Sequence, residues 1–314
     1  MDAMIFRHHS CRKTGLVFLL SFLSINMTRS QTGIGYTTST IGIGARAAAL
    51  SDAYTADTYD VTSMYWNPAA LCFLQKAFVV TNHFQEREQT VMSDNIAIPL
   101  LRGTNALAIG ASVAHLGYIK DSPQGAQFRF IEYGFGIVYA RAVSRSLSLG
   151  VRVETNYGQT ESAHLEVASS SFGLVYSPLP WISYGIAYNG VGWKIRYSFD
   201  TTSTNPHREN PQRSLQIGVT MRYPQSLLRP SVLTLTAANE RDFRENALRY
   251  KGGIEVCPVR FLALRIGYQY GPSKAAASYG VGLRSEWFQL DYAISPSRAG
   301  NRFQQASLSI AFWD

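Results

Sequence analysis

Beyond the first thirty residues the chain carries four histidines, His83, His115, His164 and His207. A histidine beside a hydroxyl or a carboxylate is the usual proton carrier of hydrolytic chemistry, so these positions are where an active site would be sought. No G-x-S-x-G nucleophile motif accompanies any of them. The nearest grouping is Glu161, His164 and Glu166, whose turn-rich surroundings read as a solvated loop, and no metal-ligand spacing occurs. Cys11 belongs to the N-terminal leader, while Cys72 and Cys257 are far apart in sequence and form no C-x-x-C pair. A disulfide between them is left open. No catalytic residue, metal or cofactor is therefore assigned. The conspicuous polar groups are instead charges of both signs at alternate positions: Arg152, Glu154, Arg222, Lys251, Glu255, Arg265, Arg284 and Asp291. Such a series could line an ion pore or pair internally.

Alternation also defines the elements that carry these charges. Leu147, Leu149, Val151, Val153, Thr155 and Tyr157 share one face of an extended chain, and Ser148, Gly150, Arg152, Glu154 and Asn156 share the other. No helical period fits this stretch. Leu215–Tyr223, Leu262–Tyr270 and Phe288–Ile294 repeat the pattern. From Lys76 onward about fourteen such segments can be counted, each about the length of a tilted strand that crosses a bilayer. An even count returns both ends to one side. Short connections at 142–145, 177–180, 257–260 and 284–286 then alternate with longer ones at 120–129, 158–164, 189–212 and 296–302, as in outer-membrane barrels with short periplasmic turns.

Composition agrees. Hydrophobic residues make up 46% of the 314 and charged residues 16%, yet the one dense apolar run, Gly15–Leu23, is too short for a spanning helix. That excludes a polytopic helical membrane protein, and the many aromatics exclude disorder. A soluble sandwich or lipocalin-like barrel would turn its polar face outward. Here the polar face mixes Gly, Ser and Ala with charges of both signs, which suits a lumen, and the other face is nearly free of charge, which suits lipid. Asp94, Arg141 and Glu166 depart from this near expected strand ends. Trp181, Trp287 and Trp313 at the periplasmic ends and Tyr157, Tyr188, Tyr270 and Tyr279 at the outer ends suggest two aromatic belts. The expectation is an all-β fold, a transmembrane antiparallel β-barrel over residues 75–314, in the bacterial outer membrane and in contact with its lipid.

Residues 1–30 read as a secretory signal peptide. Arg7, Arg12 and Lys13 precede the apolar run, and Thr28-Arg29-Ser30 provides a cleavage site before Gln31. The leader holds part of the formal charge of +8. Bases and acids are otherwise interspersed, so nucleic acid is not expected as a partner.

Residues 31–74 differ in character. Gly42-Ile-Gly-Ala-Arg46 leads into three alanines, and Asn67 before Pro68 is an N-cap followed by a residue suited to the first helical position. Short helices of this kind cannot span a bilayer but can fill a lumen, with Arg46, Asp52, Asp57 and Asp60 pairing with wall charges and Tyr65 and Trp66 buried. The expectation is an N-terminal plug with short helices.

The series Gly44-Ala-Arg46-Ala-Ala-Ala-Leu50, Ala53-Tyr-Thr-Ala-Asp57, Asp60 and Tyr65-Trp66-Asn67-Pro68-Ala-Ala-Leu71 resembles the N-terminal signature of the PorV/PorQ family, part of the FadL-like group of fourteen-stranded barrels. The family usually has Gly where Ser51 and Ala70 stand, and an acidic pair where Asp57 is followed by Thr58. The resemblance implies a non-enzymatic component of type IX protein secretion or surface attachment, with a secretion translocon, a surface attachment protein or the C-terminal domain of cargo as partners. The wider group implies the alternative, a transporter of long-chain fatty acids or other hydrophobic solutes. A transporter should show an apolar pocket between plug and wall beside a kinked strand, whereas a secretion component should have a packed lumen. Trp193, Tyr197 and Phe199, in the longest outer connection, are candidates for a docking hairpin or a strand extension above the membrane.

Overall fold

The computed structural model describes residues 42–74, 78–86, 91–101, 103–120, 127–159, 163–192, 195–199, 207–209, 212–223, 232–272, 274–296 and 302–311. The leader, Trp193 and Trp313 lie outside the described residues. The strands are β1 (Phe78–Glu86), β2 (Val91–Leu101), β3 (Asn105–Lys120), β4 (Gln127–Ala142), β5 (Leu147–Gln159), β6 (Ala163–Leu179), β7 (Ile182–Gly192), β8 (Ile195–Phe199), β9 (His207–Glu209), β10 (Ser214–Tyr223), β11 (Leu233–Asp242), β12 (Ala247–Val259), β13 (Leu262–Gly271), β14 (Lys274–Arg284), β15 (Phe288–Pro296) and β16 (Arg302–Ala311).

Fourteen of them form a closed antiparallel barrel. Each of these strands pairs with its two neighbours around the ring, β10 pairs with β7, and β1 pairs with β16, Phe78 facing Ala311, so no barrel strand is left as an edge. The remaining two, β8 and β9, make a hairpin that continues the sheet beyond the barrel. Phe199 pairs with Ala163 of β6 and Tyr197 with Leu165, so the described part of this connection extends the sheet by its backbone.

The two faces divide as the period of two requires. On β5, Leu149 and Val153 are 47% and 55% exposed while Arg152 between them is 7% exposed. Ile137, Leu264, Ile266 and Leu290 stand on the same outer surface. A belt this apolar needs lipid around it, and closure lets the strand backbones pair with one another rather than with water. The protein is a barrel of the bacterial outer membrane, and no helix among the described residues is long and apolar enough to cross a membrane.

Some details differ from the sequence reading. β3 runs to Lys120 and β4 begins at Gln127, so both ends of the expected 120–129 loop are strand, because ladder bonding continues above the apolar belt, while residues 121–126 lie outside the described residues. The length asymmetry of the connections fails at several places, for only residues 160–162 join β5 to β6, where 158–164 was expected as a long connection, and only 272–273 join β13 to β14. Phe243–Asn246 is a short outer turn, and the nine residues 224–232 join β10 to β11 on the periplasmic side. Tyr279 sits in the middle of β14 rather than at its outer end. Trp287, 73% exposed, lies in the periplasmic turn before β15.

Inside the barrel lie a short helix, α1 (Ala45–Ala49), and two 3-10 turns, η1 (Val61–Tyr65) and η2 (Pro68–Phe73). Asn67 starts η2: its side-chain oxygen accepts from the Ala69 N–H at 3.1 Å, and Pro68 occupies the first position, where no N–H is needed. Asp60 caps η1 through the Thr62 N–H at 2.9 Å. The wall meets these elements at residues without side chains. A Cβ on Gly150 would lie 2.4 Å from the Ala69 nitrogen, and one on Gly267 would lie 2.5 Å from the Leu50 carbonyl carbon. Glycine is thus what allows backbone to approach backbone here.

Candidate functional site

The inner segment is held to one side of the barrel by charge. Arg46 of α1 is buried, with its Nε donating to Glu255 of β12 at 2.9 Å and its Nη1 3.1 Å from Asp57. Glu255 also accepts from Arg265 Nε at 2.6 Å and from Arg284 Nη2 at 2.7 Å. Arg265 continues to Asp291 at 2.7 Å, and Arg222 approaches Asp57 at 3.6 Å. The guanidinium of Arg46 stacks over Tyr59 at 4.6 Å, and that of Arg284 lies over the same ring at 5.1 Å. Burial alone would pull the Arg46 pKa down, but the carboxylates of Asp57 and Glu255 overcome it and hold the group well above its ordinary value. Burial pushes the Asp60 carboxyl up, partly offset by nearby Arg46 and by the hydrogen bond from Thr62. Tyr54 connects the two groups, touching Arg46 and donating to Asp60 at 3.2 Å.

On the opposite side the contact is apolar. Val61, Met64 and Leu71 pack against Val80 of β1, Ala97 of β2, Ala106 and Ala108 of β3, and Val138 and Ala140 of β4, with Tyr65, Cys72 and Leu74 at the margins. Among the described residues the side chains that form this seam are all uncharged. The seam is bordered by an irregular strand, since the β2–β3 register shifts between Pro99 and Leu101, and a proline inside a strand has no N–H for the ladder.

Above the inner segment, toward the outer mouth, lies a cavity of about 120 Å³ bordered by Asp52, Tyr65, Trp66, Arg152, Glu154 and Lys251, among others. Arg152 Nη2 lies 3.3 Å from Glu154, and Lys251 Nζ lies 2.7 Å from Glu240. Arg152 Nη1 donates to the Tyr65 carbonyl at 3.2 Å and its guanidinium stands over the Tyr65 ring at 5.4 Å, while Lys251 Nζ stands over Trp66 at 5.7 Å. Tyr65 therefore belongs both to the cavity and to the seam. Burial raises its hydroxyl pKa, so it stays a neutral donor.

Of the inner-segment residues singled out from sequence, Gly44 has φ of 107°, a conformation glycine adopts freely, and Arg46, Asp57, Asp60, Trp66, Asn67 and Pro68 are buried. Ser51, where the resembling family has Gly, also has a positive φ of 54°. The eight alternating charges all lie on the inner face, but in two groups: Arg222, Glu255, Arg265, Arg284 and Asp291 around Arg46 and Asp57, and Arg152, Glu154 and Lys251 at the cavity. Glu240, which pairs with Lys251, was not singled out from the sequence. It alternates with Thr234, Thr236 and Ala238 on the inner face, but which base it meets depends on the β11–β12 register, in which Glu240 faces Arg249 and Lys251 faces Ala238 one inner position away. Among the described side chains, the histidines are not brought together. His83 pairs with Asp94 on the outer face at 2.8 Å, and His164 meets Tyr157 at 3.0 Å. Cys72 and Cys257 are unpaired thiols, one beside Thr104 in a periplasmic turn and the other accepting from Arg284. Among the described residues no cluster could hold a metal ion.

Comparison with solved structures matches this arrangement to fourteen-stranded channels. The Pseudomonas putida toluene transporter TodX aligns over 85% of this chain and 96% of its own, with 13% identity and a TM-score of 0.56. A Pseudomonas aeruginosa FadL homologue aligns over 84% and 97%, with 13% identity and a TM-score of 0.59. The CymD monoaromatic hydrocarbon channel aligns over 86% and 96%, with 13% identity and a TM-score of 0.59. The fold is that of the FadL-like channels. These shares exceed what the strands from Phe78 to Ala311 make up alone, so the likeness extends past the barrel wall. No family model matches the chain, and no curated protein matches it. Nothing in the comparisons points to PorV/PorQ proteins in particular.

Proposed function

We propose that the protein is a plugged, non-enzymatic outer-membrane channel that takes up small hydrophobic or amphipathic solutes. The observation that carries this reading is the uncharged seam between η1–η2 and β1–β4. It leads from Tyr65 at the outer cavity to Cys72 and Leu74 near the periplasmic turn at Thr104, beside the irregular strand β2. The seam is packed, so passage requires the inner segment to shift. Contacts of this kind are non-directional and can slide, whereas the ion pairs to Arg46 on the other side fix a pivot. The FadL-like fold and the irregular strand beside the seam support solute passage, whereas the close packing of the seam is the feature expected of a secretion component.

The test is uptake of radiolabelled toluene by cells that express the protein against cells that lack it. Faster uptake with the protein, reduced about tenfold by Ala108→Phe in the seam, supports the proposal. Equal uptake with and without the protein refutes it. One observation favours a second reading, as a secretion accessory: the lumen is closed by a buried charge network rather than left open. Co-purification of a translocon or of secreted cargo, together with absent solute uptake, would establish that reading instead.

A further inference from the structure

The outer cavity differs in chemistry from the seam below it. Its charges are already committed to one another, Arg152 to Glu154 and Lys251 to Glu240, so a ligand need bring no charge to balance them. With Asp52 on the same lining, acids outnumber bases among the described residues, which disfavours an entering carboxylate. Two buried polar atoms on this lining have no hydrogen-bond partner among the described residues: Arg152 Nε, a donor on a side chain 8% exposed, and Asn189 Oδ1, an acceptor. Buried groups of this kind ordinarily find partners, and each exception calls for a reason. Asn189 is also placed by a built irregularity. The β6–β7 register shifts between Ser170 and Phe172, and Gly190 beside it has φ of 78°, where a Cβ would come within 1.9 Å of the Gln212 carbonyl. Bulges re-aim side chains in this way. The volume is of the order that one small ring needs, since a cavity of roughly 150 Å³ can hold benzene.

We propose that this cavity recognises a net-uncharged small molecule that carries a hydroxyl or amide head, able both to accept from Arg152 Nε and to donate to Asn189 Oδ1, in preference to a plain hydrocarbon or a carboxylate. The proposal deepens the channel reading and rests on it for the direction of travel, the head being captured in the cavity while the apolar part faces Tyr65 and the seam. Hydrogen bonding at a buried site discriminates because an analogue lacking the head leaves the site's own groups unpaired.

Three probes with one ring and different heads test it: benzyl alcohol, toluene and benzoate, in equilibrium dialysis against the full chain in lipid nanodiscs, with empty nanodiscs subtracted. Benzyl alcohol should bind saturably and at least tenfold tighter than either of the others. Arg152→Lys keeps the charge beside Glu154 but removes the Nε donor, and should abolish the preference; Asn189→Ala, outside the ion pairs, should weaken it as well. Toluene binding as tightly as benzyl alcohol, or an unchanged preference in both variants, overturns the proposal. Uptake separates the two readings. Selective binding without uptake leaves the site and removes the channel, whereas toluene uptake without selective binding leaves the channel and removes the site.

Discussion

Replacing Glu255 by glutamine asks how firmly charge fixes the inner segment. The carboxylate accepts from Arg46 at 2.9 Å, Arg265 at 2.6 Å and Arg284 at 2.7 Å. Glutamine preserves its shape and removes one negative charge. Arg265 then keeps Asp291 and Arg46 keeps Asp57, but Arg284 is left with the Cys257 sulfur and the Tyr59 ring. Removing one partner of a buried pair costs about 3–5 kcal/mol. Because Arg46 reaches the wall carboxylates through Glu255, detachment of α1 relieves part of that cost, and the detached population should rise roughly 10²- to 10³-fold. Trypsin reads this directly. The Arg46–Ala47 bond is buried in the attached state, so cleavage there tracks the opened population when opening is fast relative to cleavage. The folded barrel is checked by its heat-modifiable migration on gels, and Glu255→Asp should restore part of the resistance. If a folded Glu255→Gln barrel is cut at Arg46 within threefold of the wild-type rate, Glu255 is not the anchor.

Gly267→Val should displace α1 while the barrel still closes, because the new Cβ would meet backbone at 2.5 Å; hydrogen exchange at residues 45–51 should lose protection, and unchanged protection would show that the segment tolerates the shift. Burial pushes the Cys72 thiol up to about 11 from an ordinary 9.0. At pH 8 its thiolate fraction is then roughly a hundredfold smaller, so iodoacetamide should label it about that much more slowly in the folded protein than in urea, the difference shrinking as pH rises toward 11. Ile137→Arg, on the outer face of β4, should destabilise the barrel in bilayers by ~2–4 kcal/mol in urea titrations; a change below ~1 kcal/mol would move that residue out of the apolar belt.

The barrel was legible in the chain because its signal is local. A strand's side chains alternate by covalent geometry, so Leu149, Val153 and Ile266 announce an apolar face, and Arg152, Glu154 and Arg265 the opposite one, whatever the partners are. The Asn67-Pro68 start of η2 was legible for the same reason, a cap and its first residue being neighbours in sequence. Loop ends were less legible at Lys120 and Gln127, since ladder bonding above the membrane requires no hydrophobic alternation.

What the sequence alone determined, then, is the period, the even number of crossings and the facing of each charge. Which charges meet was decided only by the tertiary structure. Glu255 finds Arg265 because β12 and β13 pair in that register, and finds Arg46 only because α1 is carried across the lumen from the other end of the chain. The division of the inner segment's contacts into a charged side and an apolar seam has the same origin. It depends on how a folded segment is turned inside a closed ring, an orientation that no spacing along the chain encodes.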